Sequence, residues 1–318
     1  MMADEIHPGP EVRQEANVEQ LVQSLATLHD MERTTVRLIS FGRAAVASLR
    51  NFLFRVDSSG IYEPRCWAVR ALGRIGAQEV LVEFLNADHS CSDPVAQMGE
   101  EAVVNTTARA LAGTISQEAY AALLRVARWR PLPGAIEVLG EYSRPEVVPV
   151  LIRALEDDVA RASAEEALSN FGESVGPSLR DAATRKEPAP ERESPSSVLR
   201  RRAAIRLLAD TRTASGFWND LRALMRDSDF IVRARSCRIG LDCGNETEKT
   251  EAALTLVQLL SEADSSTRAE IEDVLVRHYS SVGEIIEDNL KREEGVAARR
   301  SLARIVSRAG ARPASDSR

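Results

Sequence analysis

Imidazoles and thiols are the residues to weigh first for chemistry, because they are the common metal ligands, nucleophiles and proton carriers. His7, His29, His89 and His278 stand far apart in the chain. Only Asp88-His89-Ser90-Cys91 brings two such ligands together, and two cannot close a tetrahedral zinc site, so this stretch reads as a solvated loop. Cys237 and Cys243 flank Gly240 with no histidine near them in sequence, and Cys66 and Cys237 fall in helix-patterned stretches that suit small core thiols. Four cysteines in 318 residues do not make a disulfide framework. No phosphate-cradling GxxxxGK followed by Ser or Thr, no dinucleotide GxGxxG and no nucleophile GxSxG motif occurs. Asp157-Asp158 and Glu165-Glu166 are immediate neighbours, which diverge on a helix instead of facing one another. The sequence therefore predicts no enzyme, no metal and no cofactor.

Arginines remain, and their chemistry is recognition of anions. Between Leu199 and Gly240 ten arginines meet four acidic residues, a local balance of +6; from Leu241 to Gly295 fourteen acids meet five lysines and arginines, a balance of −9. Arg202 and Arg206 are four apart, Arg235 and Arg238 three apart, so each pair shares a helix face. Trp67, Arg70 and Arg74 form a second stripe at offsets 0, 3 and 7. Two accounts fit these stripes. One is a basic strip that captures an acidic peptide or protein surface; the other is a solvated arginine face matched by carboxylates on neighbouring helices. The net charge of −7 opposes generic wrapping of a polyanion, although steering depends on where charge is placed.

The elements that must position these stripes follow from periodicity. Ala68, Val69, Leu72 and Ile75 keep the spacing that gathers apolar side chains on one helix face. The template of Arg65, Ala68 and Leu72-Gly73 returns at Arg161, Ala164, Leu168; at Arg201, Ala204, Leu208; at Arg233, Ser236, Gly240; and at Arg268, Ile271, Leu275. Successive arginines are 96, 40, 32 and 35 residues apart, and 96 is three periods of 32. A fixed period of that size marks stacked units, each burying its apolar face on its neighbours. Aromatic residues make up only 4% of the chain, which favours helices packed through Ala and Leu over strands.

Reading along the chain, residues 1–15 form a polar leader, 16–309 one continuous array of about nine helix pairs, and 310–318 a polar tail. Leu72-Gly73, Leu111-Ala112 and Leu139-Gly140 close second helices, and one helix is expected over Ala214–Met225. Segment 185–197 carries Pro188, Pro190 and Pro195 among Glu and Ser, so an extended, solvated, disordered insertion is expected there; it also accounts for the 40-residue interval. No apolar run approaches 18 residues and no signal-type segment opens the chain, so the expectation is a cytoplasmic protein with no membrane partner.

The pattern D/E-x-x-x-R-x-x-A-x-x-x-L-G on paired helices about 32 residues apart resembles HEAT repeats, in particular the short bacterial type also found in phycobilin lyases. Asp229–Gly240 and Pro64–Gly73 carry it most clearly, then Asp157–Gly172. The resemblance implies an all-α, right-handed α-solenoid (armadillo-like superhelix), and it implies that Arg65, Arg161, Arg201, Arg233 and Arg268 are structural residues that pair with acids and align repeats. In such solenoids second helices line the inner curve, so the stripes Trp67, Arg70, Arg74 and Arg202, Arg206, Arg235, Arg238 would face a concave groove. The function that follows is a non-enzymatic scaffold or adaptor for a protein partner. A rival is nucleic-acid binding, since alkylpurine DNA glycosylases include a HEAT-like family and Trp67, Trp129 and Trp218 are similar to the aromatics such enzymes place beside a base; no catalytic motif of theirs can be matched here. The iron-holding His-Glu pairs of HEAT-like hydroxylases have no counterpart.

Overall fold

The computed structural model describes residues 10–27, 30–55, 60–189, 192–211 and 213–311. The leader up to residue 9, His29, residues 56–59 and the tail from 312 onward lie outside the described residues. The described chain is all-helical: 18 α-helices, short 3-10 turns, and no strand beyond one isolated bridge between Pro188 and Glu193. It divides into two compact units, one reaching to Ala154 and including Asp158–Asn170, the other formed by Leu155–Asp157 and the chain from Phe171 onward.

The first unit holds α1 (Pro10–Leu25), α2 (Met31–Ser40), α3 (Val46–Leu53), α4 (Glu63–Ile75), α5 (Gln78–Leu85), α6 (Pro94–Arg109), α7 (Gln117–Trp129), α8 (Pro133–Glu141), α9 (Val148–Ala154) and α10 (Arg161–Asn170). Helix α1 starts at Pro10, inside the stretch expected to be leader. The second helices pack in series, α2 on α4, α4 on α6, α6 on α8 and α8 on α10, while α5, α7 and α9 form a second row. Leu38, Leu49, Leu53, Val69, Leu72, Leu85, Val103 and Leu139 are fully buried between them. Each such aliphatic side chain contributes roughly 1.5–3 kcal/mol.

Local chemistry sets the ends of these helices. The carboxylate of Asp93 accepts from the Ala96 N–H at 2.7 Å to cap α6, and the Ser116 hydroxyl accepts from Ala119 N–H at 3.0 Å to cap α7. Helix α4 runs past Leu72-Gly73 and stops at Gly76, whose φ of 80° lets the Ala77 N–H reach back to the Leu72 carbonyl at 3.0 Å. Gly73 therefore lies within α4, whereas Leu139-Gly140 does stand at the close of α8 and Leu111-Ala112 lies just past the end of α6. Both glycines serve packing: a Cβ on Gly73 would stand 3.2 Å from that of Ala110, and one on Gly140 only 2.7 Å from that of Ala167.

The second unit holds α11 (Gly176–Thr184), α12 (Pro195–Asp210), α13 (Trp218–Leu221), α14 (Phe230–Cys243), α15 (Glu246–Leu259), α16 (Ser265–Arg277), α17 (Tyr279–Arg292) and α18 (Val296–Gly310). Here α12 packs on α14, α14 on α16 and α16 on α18, with α11, α15 and α17 each against its own second helix. Asn245 and Glu248 close a capping box at the start of α15. The single helix expected over Ala214–Met225 is instead α13 between two 3-10 turns.

Segment 185–197 departs from the expected extended, solvated insertion in its described residues. Besides the Pro188–Glu193 bridge, the Ser194 N–H donates to the Glu187 carbonyl at 2.9 Å, and α12 begins at Pro195. Glu187 pairs with Arg200 at 2.8 Å and Glu193 with Arg201 at 2.7 Å; both arginines are fully buried. Lys186 reaches Asp227 at 3.0 Å. Proline and charge looked like solvation in sequence because the carboxylates' partners lie on other elements.

Candidate functional site

The repeated arginines are bound to the ends of neighbouring elements. Arg65 Nε–H donates to the Leu53 carbonyl at the end of α3 at 2.8 Å. Arg201 does the same to Ala183 near the end of α11 at 2.9 Å, and Arg268 to Leu260 just past α15 at 3.1 Å. Arg233 reaches the Asp227 carbonyl at 3.2 Å. Each cation thus satisfies a carbonyl at the C-terminal end of the preceding element, where helix carbonyls lack partners and the dipole favours positive charge. Arg161 differs, pairing with Asp158 one turn before it at 2.9 Å.

The stripe Trp67, Arg70 and Arg74 stays together on α4. It lines a cleft of about 580 Å³ whose other walls are Glu32, Thr35, Val36 and Ile39 from α2 and Thr106 and Arg109 from α6, with Gly73 and Ala110 between. The Arg70 guanidinium stands 4.3 Å from the centroid of the Trp67 ring, a cation–π distance. Arg109 is held bidentately by Glu137 at 2.7 and 2.9 Å, and this contact keeps the Glu137 carboxyl below the ordinary glutamate range. Among the described residues Arg70 and Arg74 make no ion pair. Val36, on the α2 wall, is 62% exposed. The Trp67 indole N–H and the Thr35 hydroxyl are buried and have no hydrogen-bond partner among the described residues.

The second stripe divides. Arg206, Arg235 and Arg238 line a cleft of about 300 Å³ together with Arg277, Asp210, Glu270 and Asp273. Arg202 lies apart, held bidentately by the helix-capping carboxylate of Asp229 at 2.9 and 2.5 Å. Arg235 donates to the Arg202 carbonyl at 2.8 Å and faces Glu270 at 3.8 Å; Arg238 donates to Asp210 at 3.1 Å. In this unit the arginine face meets carboxylates from the neighbouring helices, the second of the two arrangements that the spacing allowed.

Two buried polar clusters escaped sequence reasoning. His89, expected in a solvated loop, is only 7% exposed: one ring nitrogen lies 2.7 Å from Glu100 and the other 2.8 Å from the Phe84 carbonyl. Burial pushes the Glu100 carboxyl up, but hydrogen bonds from His89 and Arg65 outweigh it and leave the group below its ordinary value. In the second unit Arg200 and Arg201, both fully buried, are ringed by Glu156, Glu187, Glu193 and Asp227. Burial likewise pushes Asp227 up, and Arg201, the Asp229 N–H and Lys186 together pull it below the aspartate range. Adjacent arginines carried a hint of this, since on one helix both can be buried only with acids brought from elsewhere. Burial raises the Cys237 thiol to about 12, so it stays protonated. No group of three or more His, Cys, Asp or Glu able to hold a metal occurs among the described residues, nor any helix long and apolar enough to cross a membrane.

No family model matches the chain, and no curated protein does. Among solved structures it is similar to the crystal structure of an engineered protein, 16% identical, over 93% of this chain and 99% of that one, with a TM-score of 0.36. A likeness at that level carries no argument. The helices and their serial packing are compatible with a helical-repeat protein.

Proposed function

We propose that this chain is a non-enzymatic scaffold or adaptor, a right-handed α-solenoid of about nine HEAT-like helix pairs that captures an acidic protein partner on its second helices. The arginine staple that recurs within pairs and the serial packing of second helices in each unit support the repeat reading. The observation that carries the functional reading is the pair Arg70 and Arg74, two exposed cations beside an exposed apolar side chain with no carboxylate partner among the described residues. Exposed cations that no carboxylate answers are available to a ligand, whereas Arg202, Arg235 and Arg238 of the second unit already meet Asp229, Glu270 and Asp210.

Affinity capture from native lysate, with a parallel nuclease-treated sample, tests the reading when wild type is compared with the double variant Arg70→Glu/Arg74→Glu. Both residues are exposed, so helix content should be unchanged while a protein partner is lost, and capture should weaken with salt. Retention of the same partner by the double variant refutes the assignment. Recovery of nucleic acid with a steep salt slope would favour the rival reading instead.

A further inference from the structure

The cleft between α2, α4 and α6 contains more than the two cations that have no carboxylate partner among the described residues, and its parts specify a ligand. Its cationic wall is Arg70 and Arg74, one helical turn apart, a rise of about 6 Å along α4. Trp67 continues the same line about 4.5 Å beyond Arg70. Opposite stands Val36, 62% exposed, an apolar side chain facing solvent beside an aromatic ring. Among the described residues the Trp67 indole N–H has no partner, and Thr35, itself only 4% exposed, has an unpartnered hydroxyl. A buried donor without an acceptor costs about 1–3 kcal/mol, so this wall is short of acceptors. Among the described residues Glu32 is the one carboxylate on the lining, and it does not pair with either arginine.

An extended peptide presents alternate side chains on one side every ~6.6–6.8 Å. That step is close to the Arg70–Arg74 rise, and flexible arginine side chains absorb the small difference. Resting on the reading that this face captures an acidic partner, we propose that the cleft recognises a short extended segment of the partner in which one aliphatic residue is followed by acidic residues at alternate positions. The aliphatic side chain packs between Val36 and Trp67, and the two carboxylates pair with Arg70 and Arg74. Burial of the aliphatic group excludes water from the ion pairs, which in the open would add little. A polyphosphate backbone matches the charge but leaves Val36 exposed, which favours the peptide.

The test uses purified full-length protein and a synthetic peptide reading leucine, serine, glutamate, serine, glutamate. Three tryptophans give three indole N–H resonances in a proton–nitrogen correlation spectrum, and a Trp67→Phe variant assigns the relevant one. Saturable movement of the Trp67 indole is expected. Replacing the leucine by serine, or Val36 by Asp, should weaken binding about tenfold, and Arg70→Ala/Arg74→Ala by about tenfold or more. Val36, Arg70 and Arg74 are exposed, and unchanged dispersion of the remaining amide signals verifies the fold of each variant; Val36→Ser is the second variant if the aspartate unfolds. Equal binding by the leucine-free peptide sinks the aliphatic anchor while leaving the arginine reading standing. No movement of the Trp67 indole removes the site. Tighter movement with a single-stranded oligonucleotide overturns both the anchor and the acidic-partner reading.

Discussion

Asp227→Asn is the substitution from which the second unit offers the clearest number. Asp227 is 5% exposed, accepts from both Arg201 NH groups and from the Asp229 N–H at 2.9 Å, and is reached by Lys186 at 3.0 Å. Arg201 is fully buried, so neutralising Asp227 leaves a buried guanidinium with Glu193 as its main counter-charge. Breaking a buried pair in this way costs about 3–5 kcal/mol, and the asparagine oxygen can recover part of that as a neutral hydrogen bond. An expected loss of roughly 3 kcal/mol would be read from urea midpoints followed by circular dichroism. The same variant gives a second reading through pH. Since the Asp227 carboxyl is held below its ordinary 3.8, the unfolded chain binds more protons near that value. Its contribution is complete above the ordinary value and fades as pH falls through the depressed one. Wild type should therefore lose stability more steeply than Asp227→Asn as pH drops below 3.8. A loss under about 1 kcal/mol, with parallel pH curves, would refute the claim that this ion cluster holds α12 to its neighbours.

Gly140→Ala improves helix propensity yet should destabilise by about 1–3 kcal/mol, because the new Cβ meets Ala167 between α8 and α10; thermal melting decides the sign. Glu193→Gln removes an ion pair to Arg201 and weakens the acceptor for the Ser197 hydroxyl. Limited proteolysis should then cut within 185–197 sooner than in wild type, and equal cutting times would show that the segment is not held by that contact. His89→Ala loses two hydrogen bonds and its packing on Phe84, so a lower chemical-denaturation midpoint is expected, with an effect of about 2 kcal/mol.

Helices were legible in the sequence because their signal is local. Leu21, Val22 and Leu25, or Ala68, Val69 and Leu72, announce a buried face by spacing alone, and all six are buried. What spacing does not reveal is the partner across a helix interface. Gly73 looked like a stop yet lies inside α4, and while Gly140 does stand at the end of α8, the packing use of both glycines depends on Ala110 and Ala167 many residues away. Glu187 and Glu193 looked solvated for the same reason. The cationic stripes show both sides of this limit. Sequence placed Trp67, Arg70 and Arg74 on one helix face, Arg202 with Arg206 on a second and Arg235 with Arg238 on a third; whether each charge is answered depended on Asp210, Asp229, Glu270 and on the α2 wall around Val36.

The staple from arginine to the preceding carbonyl bears on how such a chain can lengthen. It closes rings of 8 residues at Arg268, 12 at Arg65 and 18 at Arg201. Loop-closure entropy grows only logarithmically, so the step from the shortest ring to the longest costs about 0.7 kcal/mol. New sequence can therefore enter between the two helices of a pair without shifting the register of either, provided that the arginine still reaches its carbonyl. Extra sequence placed between stacked second helices has no such tolerance, because there glycine and alanine hold backbones at contact distance. Growth by insertion is thus directed to one kind of loop, and the charged, proline-rich stretch before α12 occupies such a place.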